Sequence, residues 1–254
     1  MLDVHHIKTL LAEIMPYPAP DLLLYQSIDS THDFLKTRDI DALCIAETQT
    51  AGRGRLGRQW HSPFGENIYC SWRMPWQKSI HESGCLSLLV GVSVLKMLTH
   101  LGVGVPIKLK WPNDLMFLHQ KLGGILIELI HDEAIIISLG LNINSDPQNS
   151  TSINRPWCSL YSITQKKWDR NVLMAHFIHQ LNQDLSVFIQ EGFESFKNIW
   201  KDHDYLYQKS VILSRGSKII SGKALGIDAE GQLEVIEDDG TIHHFSSGEV
   251  TLSL

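Results

Sequence analysis

Residues 48–60 read Thr-Gln-Thr-Ala-Gly-Arg-Gly-Arg-Leu-Gly-Arg-Gln-Trp, and the interpretation of the whole chain begins from this segment. Its three glycines alternate with three arginines, and no acidic residue lies between Glu47 and Glu66. Glycine lets the backbone enter left-handed conformations and lets an amide approach a ligand closely. Arginine offers a planar fork of donors that matches a carboxylate or a phosphate. The segment therefore predicts an anion-binding loop, and the alternative is a basic surface loop that binds no ligand.

The segment lies between two predicted strands. Residues 41–47 lead into it, and residues 67–72 return from it after a turn at 62–65. Four later segments are predicted strands joined by short turns: 105–111, 115–118, 122–129 and 134–143. Short turns between consecutive strands favour an antiparallel or mixed sheet over repeated βαβ units. The loop is therefore expected to be held by a rigid sheet.

Helical spacing of apolar residues predicts the helices that flank this sheet. They lie within residues 1–20 and at 32–36, 82–101, 171–189 and 193–205. The first could instead be the remnant of a DNA-reading helix-turn-helix, but it is too short for that module. Residues 145–155 are rich in Ser, Asn, Asp and Pro and are predicted to form the most mobile loop.

A domain boundary is predicted near Gln208. Short alternating strands follow it at 211–213, 218–227, 232–236 and 241–245, separated by turns rich in Gly and Asp. This spacing is typical of a small SH3-like β-barrel. We therefore expect an α+β chain in which residues 1–207 form the larger, catalytic domain and residues 208–254 form the barrel.

Composition excludes several broad classes of protein. The 254 residues carry a net charge of −6 and a pI near 6.1, which argues against a general nucleic-acid binder. The positive charge of residues 48–60 is local, which suits a small anionic substrate better than a polymer. The four cysteines form no C-x-x-C pair, so neither a zinc cluster nor a redox motif is indicated, and a reducing cytoplasm is expected. Signal-peptide and membrane-spanning runs are absent from the sequence.

Four ordered motifs carry a resemblance to a known family. Residues 52–58, Gly-Arg-Gly-Arg-Leu-Gly-Arg, with Trp60 resemble the biotin-binding loop of biotin–protein ligases. Residues 110–114 (Lys-Trp-Pro-Asn-Asp), 121–126 (Lys-Leu-Gly-Gly-Ile-Leu) and 140–144 (Gly-Leu-Asn-Ile-Asn) resemble the family's other motifs, in the family's order. The resemblance extends from about residue 30 to the end of the sequence.

The resemblance implies a class II synthetase-like ligase domain and a reaction in two steps. Biotin and Mg²⁺-ATP would give biotinyl-5′-AMP and pyrophosphate, and the biotinyl group would then pass to one lysine of a biotin carboxyl carrier protein. Because the N-terminal DNA-binding domain of the repressor-type members has no counterpart in the sequence, we expect an enzyme that does not bind DNA or a membrane. A homodimer is compatible with the resemblance, and the metal ligands are not identified.

Three residues are predicted to act in the chemistry. Arg55 and Lys121 would hold the biotin carboxylate and the α-phosphate, because an approaching carboxylate and triphosphate repel each other by roughly 4 kcal/mol per charge pair at 4 Å and an effective dielectric near 20. Asp114 would accept or orient the proton of the carrier lysine. The alternatives are a solvated turn lysine at 121 and a simple turn residue at 114.

Further roles follow from the resemblance alone. The biotin site would comprise Ser30, Thr31, His32, Gln49, Arg53, Gly54, Arg55, Lys121 and Gly124. The nucleotide site would comprise Arg55, Arg58, Asn113, Lys121, Asn142 and Trp157. Trp60 is expected to anchor the loop by packing. Two positions depart from the family pattern, because His32 stands where Asn is common and Leu56 where a second Arg is common.

Two other functions compete with this interpretation. Lipoate–protein ligases and octanoyltransferases are similar in fold and reaction, but they generally lack the Gly-Arg-Gly-Arg-x-Gly-Arg loop. A nucleic-acid-binding module would combine the arginine loop with a basic barrel. Residues 209–254 instead contain seven Asp/Glu against four Lys/Arg, which disfavours that alternative.

Overall fold

A seven-stranded sheet forms the centre of the larger unit in the computed structural model, which describes residues 1–76, 84–131, 133–149, 153, 155–215 and 218–253. Its strands are β1 (Leu22–Tyr25), β2 (Leu43–Ala46), β3 (Ile68–Pro75), β4 (Ile107–Lys110), β5 (Asp114–Phe117), β6 (Gln120–Ile130) and β7 (Ala134–Leu141). The spatial order is β1-β2-β3-β7-β6-β5-β4. Only the β1–β2 pair within this sheet is parallel, so the predicted mixed sheet is confirmed.

Six α-helices accompany the sheet within the described residues: α1 (Val4–Ile14), α2 (Thr31–Lys36), α3 (Leu86–His100), α4 (Leu160–Thr164), α5 (Arg170–Glu191) and α6 (Glu194–His203). The sequence predicted all of them except α4. The predicted start of α3, at residues 82 and 83, lies outside the described residues. None of the described helices combines the length and the apolar character that crossing a membrane requires.

Alternation along β7 explains why both faces of the sheet are covered. Ile135 and Ile137 belong to the main core, which also contains the buried faces of α1, α3, α5 and α6. Ile136 points to the other face, where it packs in a smaller cluster with Leu35 of α2. A strand buried on both faces is expected to be largely apolar, as the sequence of β7 is apart from Ser138. The four large helices therefore leave the α2 face of the sheet open for a site.

A second, five-stranded antiparallel sheet follows α6. It contains β8 (Ser210–Arg215), β9 (Lys218–Ile227), β10 (Leu233–Ile236), β11 (Ile242–Phe245) and β12 (Glu249–Leu252), in the order β11-β10-β9-β8-β12. The sequence did not predict β12. Trp111 of the larger unit donates its indole N–H to the carbonyl of Gly231 at 3.1 Å, so the two units share a buried contact.

A buried ion pair fixes the end of β2, just before the Gly/Arg loop. Arg170, the first residue of α5, donates to Glu47 at 2.6 Å and to the carbonyl of Asn67 at 3.1 Å. The second carboxylate oxygen of Glu47 accepts from the backbone N–H of Leu2 at 2.5 Å. Both charged side chains are almost fully buried, at 6% and 2% exposure. Each charge therefore depends on its partner, since water does not reach either.

We expect Arg170→Met to lower the free energy of unfolding by about 3–5 kcal/mol, because it leaves the Glu47 carboxylate buried without its cation. Urea denaturation measures the change. The matched control is Lys197→Met, which removes one partner of an exposed pair with Glu194 and should change stability by at most about 1 kcal/mol. Equal effects of the two substitutions would contradict this account of the buried pair.

Candidate functional site

Two adjoining cavities collect every sequence-predicted site residue. The first encloses about 760 Å³ between the Gly/Arg loop, the start of α2 and strands β3, β5, β6 and β7. Its lining includes Ser30, Thr31, His32, Gln49, Arg53, Gly54, Arg55, Arg58, Asn113, Asp114, Lys121 and Gly124. The second encloses about 1120 Å³ and is lined by Asn142 and Trp157. Both cavities are lined by Arg58, Gln59, Trp60, Lys121 and Arg155, so the two adjoin along these residues.

The Gly/Arg loop folds back on itself over the sheet. The N–H of Gly54 donates to the carbonyl of Arg58 at 2.7 Å, and the N–H of Trp60 donates to the carbonyl of Gly52 at 2.8 Å. A Cβ at Gly52 would lie 2.6 Å from the carbonyl oxygen of Trp60, so this close crossing requires glycine. Leu56, at the position where arginine is common, has φ of 56° and is 73% exposed. Leu56 therefore lies at the outer edge of the loop.

Trp60 lies between the loop and the sheet and separates the two cavities. Gly124 of β6 and Gly140 of β7 are paired neighbours, and their missing side chains make room for the indole. A Cβ would lie 2.7 Å from the indole Nε1 at Gly140 and 3.1 Å from the indole ring at Gly124. At Gly124, which also lines the first cavity, a Cβ would meet Trp60 and Lys121, and at Gly123 it would meet Leu115, Gly140 and Leu141.

Lys121 and Asp114 form an ion pair beside Trp60. They come from the antiparallel strands β6 and β5, where a register shift after Leu115 brings the two side chains together. Lys121 is 11% and Asp114 21% exposed. Burial lowers the pKa of Lys121, and the charge of Asp114 opposes that shift. The ammonium also lies 5.4 Å from the centre of the Trp60 ring, so it is held between an anion and an aromatic face.

The three loop arginines differ in how their charges are compensated. Arg53 pairs with Asp33 at 2.5 Å and is 41% exposed. Arg58 pairs with Glu249 at the start of β12, so the C-terminal unit contributes a side chain to the first cavity. Arg55 donates to the neutral side chain of Asn113 at 3.1 Å. Burial lowers the pKa of Arg55, and its charge is available for an anion.

A chain of polar side chains lines the opposite end of the first cavity. The hydroxyl oxygen of Thr31 lies 3.1 Å from Oε1 of Gln49 and 2.8 Å from the hydroxyl oxygen of Ser71. Ser71 contacts Ser138 at 2.7 Å, and Ser138 contacts Nδ1 of His32 at 2.9 Å. Ser71 and Ser138 were not predicted as site residues. The sequence feature that could have identified them is a serine within each of two largely apolar strands, β3 and β7.

Ser30 has a structural role in the conformation described. Its hydroxyl accepts from the N–H of Asp33 at 3.3 Å and caps α2, a position at which serine is strongly preferred. Thr31, the next residue, donates its backbone N–H to Gln49 at 2.9 Å. The cap therefore orients the first turn of α2 so that its side chains face the cavity.

One wall of the second cavity is formed by the segment that follows the 145–155 loop and pairs with the sheet. Residues 150–152 and 154 of that loop lie outside the described residues. Beyond it, the backbone N–H of Lys121 donates to the carbonyl of Pro156 at 3.1 Å, and Trp157 pairs with Lys121 as a β-bridge. The amide of Asn142 donates to the carbonyl of Cys158 at 3.0 Å. The side chain of Asn142 thus fixes this segment beside Lys121.

Comparisons with known proteins agree with one another. A model of the Biotin/lipoate A/B protein ligase family matches residues 24–144, and a model of the Biotin protein ligase C terminal domain matches residues 209–253. The chain is 40% identical over 238 residues to the bifunctional ligase/repressor BirA of Salmonella typhimurium, covering 89% of this chain and 72% of that protein. It is 30% identical over 222 residues to the biotin–[acetyl-CoA-carboxylase] ligase of Mycobacterium tuberculosis, covering 84% and 79%.

Solved structures extend the comparison to three dimensions. The biotin protein ligase of Aquifex aeolicus, in complex with biotin and ATP, aligns with a TM-score of 0.80 at 30% identity, covering 92% of this chain and 98% of that one. The biotin protein ligase of Leishmania major, in complex with biotinyl-5-AMP, aligns with a TM-score of 0.60 at 25% identity, covering 91% and 100%.

The fit of Trp60 against the sheet leads to a direct prediction. Gly140→Ala should lower the free energy of unfolding by about 1–3 kcal/mol, because the new methyl group would displace the indole. The control is Gly104→Ala, where a Cβ meets no described atom within 4 Å, and little or no loss is expected there. Chemical denaturation measures both, and an unaffected Gly140→Ala protein would show that Trp60 does not rest on this glycine.

Proposed function

The chain belongs to the biotin protein ligase family, and from this premise we propose which of its residues carry out each part of the reaction. The protein activates biotin with ATP to biotinyl-5′-AMP and transfers the biotinyl group to a protein lysine. The observation that supports the assignment of residues is that the two cavities adjoin along Trp60 and Lys121. A biotinyl adenylate has two halves joined by one acyl–phosphate bond, and that bond would lie beside Lys121.

Biotin occupies the first cavity in this proposal. Its ureido ring lies against the polar chain that begins at Thr31 and Gln49, and its valeryl chain runs past Trp60. The carboxylate then reaches Arg55 and Lys121. Hydrophobic contact with the indole and neighbouring apolar side chains would stabilise the ring and chain, while the polar ends fix their orientation.

The nucleotide occupies the second cavity. Trp157, at 8% exposure, offers its indole to the adenine, and Asn142 holds the segment that carries Trp157. Arg58 and Lys121 line both cavities and would contact the phosphates. The phosphates would then be closest to the biotin carboxylate where the two cavities meet.

Electrostatics explains why cations gather at this junction. The carboxylate must approach a polyanionic triphosphate, and each like-charge pair at 4 Å costs roughly 4 kcal/mol at an effective dielectric near 20. Arg55 and Lys121 would offset this repulsion and stabilise the charge that develops on the phosphate and the attacked centre. Their partial burial strengthens the effect, because little water screens the two side chains.

Asp114 serves the second step in this proposal. A carrier lysine with an ordinary pKa must lose its proton before it attacks the acyl group, at a cost of about 4–5 kcal/mol at pH 7. Asp114 lies at the junction, already paired with Lys121. When the phosphate of biotinyl-5′-AMP, the product of the first step, takes over part of the contact with Lys121, the Asp114 carboxylate can orient the incoming amine and accept its proton.

Mg²⁺ would enter as part of the substrate Mg²⁺-ATP. Among the described residues, no group of three or more His, Cys, Asp or Glu side chains has metal-site geometry. Mg²⁺ usually binds through substrate phosphates, waters and only one or two carboxylates, so the carboxylate of Asp114, which lines the first cavity, is compatible with it.

A biotin carboxyl carrier domain is the proposed acceptor, and the cytoplasm is the proposed compartment. Cys44, Cys70 and Cys158 are buried thiols, which suits a reducing environment. The lipoate alternative is not favoured, because residues 209–253 match the C-terminal domain of biotin protein ligases.

The proposed chemistry is tested by exchange of labelled pyrophosphate into ATP. We expect exchange with biotin and none with lipoate in a parallel reaction. Lys121→Met should abolish the exchange, because it removes the buried cation at the junction. Lys166→Met, which changes a lysine that contacts Trp168, is the control and should retain exchange. Exchange with lipoate alone, or an active Lys121→Met protein, would refute the assignment.

Asp114→Asn separates the two steps. It removes the charge and the basicity but keeps an oxygen for Lys121, so adenylate formation should fall less than about tenfold. Single-turnover transfer from preformed biotinyl-5′-AMP to a purified carrier domain should fall about 10²- to 10³-fold. Asp202→Asn, at an exposed carboxylate of α6, is the control. An equal loss in both steps would mean that Asp114 acts only by positioning Lys121.

A further inference from the structure

A continuous chain of hydrogen bonds runs from the first cavity along the α2 face of the sheet to a partly exposed ion pair. From the cavity it passes through Thr31, Ser71 and Ser138 to the imidazole of His32, with contacts of 2.7–2.9 Å between successive side chains. Nε2 of His32 then contacts Glu128 at 2.7 Å, and Lys36 contacts the other oxygen of Glu128 at 2.5 Å. His32 is 2% exposed, whereas Glu128 is 31% exposed.

The charge states of His32 and Glu128, at the outer end of this hydrogen-bond chain, determine which imidazole nitrogen of His32 carries the proton. Partial burial opposes ionisation of Glu128, but the hydrogen bonds from Lys36 and His32 outweigh it and lower the pKa of that carboxyl. Burial lowers the pKa of His32 below its usual range despite Glu128 and Asp33, and Arg53 adds to the lowering. A neutral imidazole therefore faces an ionised carboxylate. Because a carboxylate only accepts, Nε2 of His32 must donate.

The remaining hydrogen bonds follow one after another. With its proton on Nε2, the imidazole accepts at Nδ1, so the hydroxyl of Ser138 donates to it. Ser138 has no second proton, so Ser71 must donate to Ser138. Because Ser71 has no second proton either, Thr31 must donate to Ser71 at 2.8 Å rather than to the more distant Oε1 of Gln49 at 3.1 Å. The three hydroxyl protons are then directed toward His32, which leaves only acceptor lone pairs on these cavity-lining oxygens.

We propose that His32, held in its Nε2–H tautomer by Glu128, is a positioning residue that makes the Thr31–Ser71–Ser138 hydroxyls an acceptor surface for the ureido N–H groups of biotin. The inference rests on the proposed function, because it assigns the ureido end of biotin to this end of the cavity. It gives a role to a residue that stands where asparagine is common in the family. The reverse tautomer would place an Nδ1–H against Ser138 and turn the hydroxyls into donors.

Two matched pairs of variants test the proposal by titration calorimetry of biotin into the full chain. His32→Leu removes the acceptor for Ser138, and we expect the Kd for biotin to rise about tenfold. His32→Asn offers an oxygen to Ser138 and an amide N–H to Glu128, so it should recover most of that loss. Glu128→Leu should weaken binding severalfold without touching the cavity, whereas Glu128→Gln keeps an acceptor and should weaken it less.

His176→Leu is the control for loss of a half-buried imidazole elsewhere, on α5, and should leave the Kd for biotin unchanged. If the wild-type chain fails to bind biotin, the proposed function fails. If it binds biotin but the leucine variants bind as tightly as the asparagine and glutamine variants, the inference about His32 is overturned and the function stands.

The ¹⁵N spectrum of the imidazole rings provides a readout that a merely structural role would not change. The His32 signals, assigned by their loss in His32→Asn, should show a protonated Nε2 and an unprotonated Nδ1 at pH 7.5. Glu128→Leu should shift the population toward the Nδ1–H tautomer, since the fixed acceptor is gone. A wild-type His32 that is protonated at Nδ1 would refute the proposal even if every variant folds and binds poorly.

Discussion

The arrangement of the site depends on holding several cations close together where the two cavities meet. Lys121 is paired with Asp114, Arg58 with Glu249 and Arg53 with Asp33, while Arg55 contacts only a neutral amide. The three carboxylates come from β5, from β12 and from α2. Unpaired, the partly buried Lys121 and Arg55 would repel each other with little screening, whereas water screens the more exposed Arg53 and Arg58. The elements that supply these carboxylates converge on the cations, and an anionic ligand would compete with the carboxylates for them.

The Gly/Arg loop is held against the sheet by side-chain packing as well as by ion pairs. Trp60 packs where two adjacent strands both lack side chains, at Gly124 and Gly140, so the loop is pinned at its C-terminal end. The Glu47–Arg170 pair fixes the strand that enters it. Between these two points the loop is held by backbone hydrogen bonds to itself, such as Gly54 to Arg58, and by the contacts of its three arginines. Rigid ends with a glycine-rich middle allow the arginines to meet a ligand without disturbing the sheet.

Local patterns and ordered motifs predicted most of this architecture, and non-local contacts account for what they missed. The apolar run at 134–143 and the periodic helices were found because burial imposes their pattern. Strand β1 (Leu22–Tyr25) and strand β12 (Glu249–Leu252) were missed because each has four residues and is stabilised by pairing with a distant partner. Ser71, Ser138 and Glu128 were missed for the same reason, since only strand register brings them beside His32.

The polar end of the first cavity also bears on the choice between biotin and lipoate. Hydroxyls that are oriented as acceptors gain when a ligand supplies N–H groups, as a ureido ring does. The dithiolane ring of lipoate has no such donor, so Ser71 and Ser138 would lose water without receiving a hydrogen bond. Each unsatisfied group of this kind costs about 1–3 kcal/mol. Sites built around polar groups reject an analogue that lacks their partners far more strongly than apolar pockets do. Specificity for biotin therefore follows from the same hydrogen bonds that hold His32.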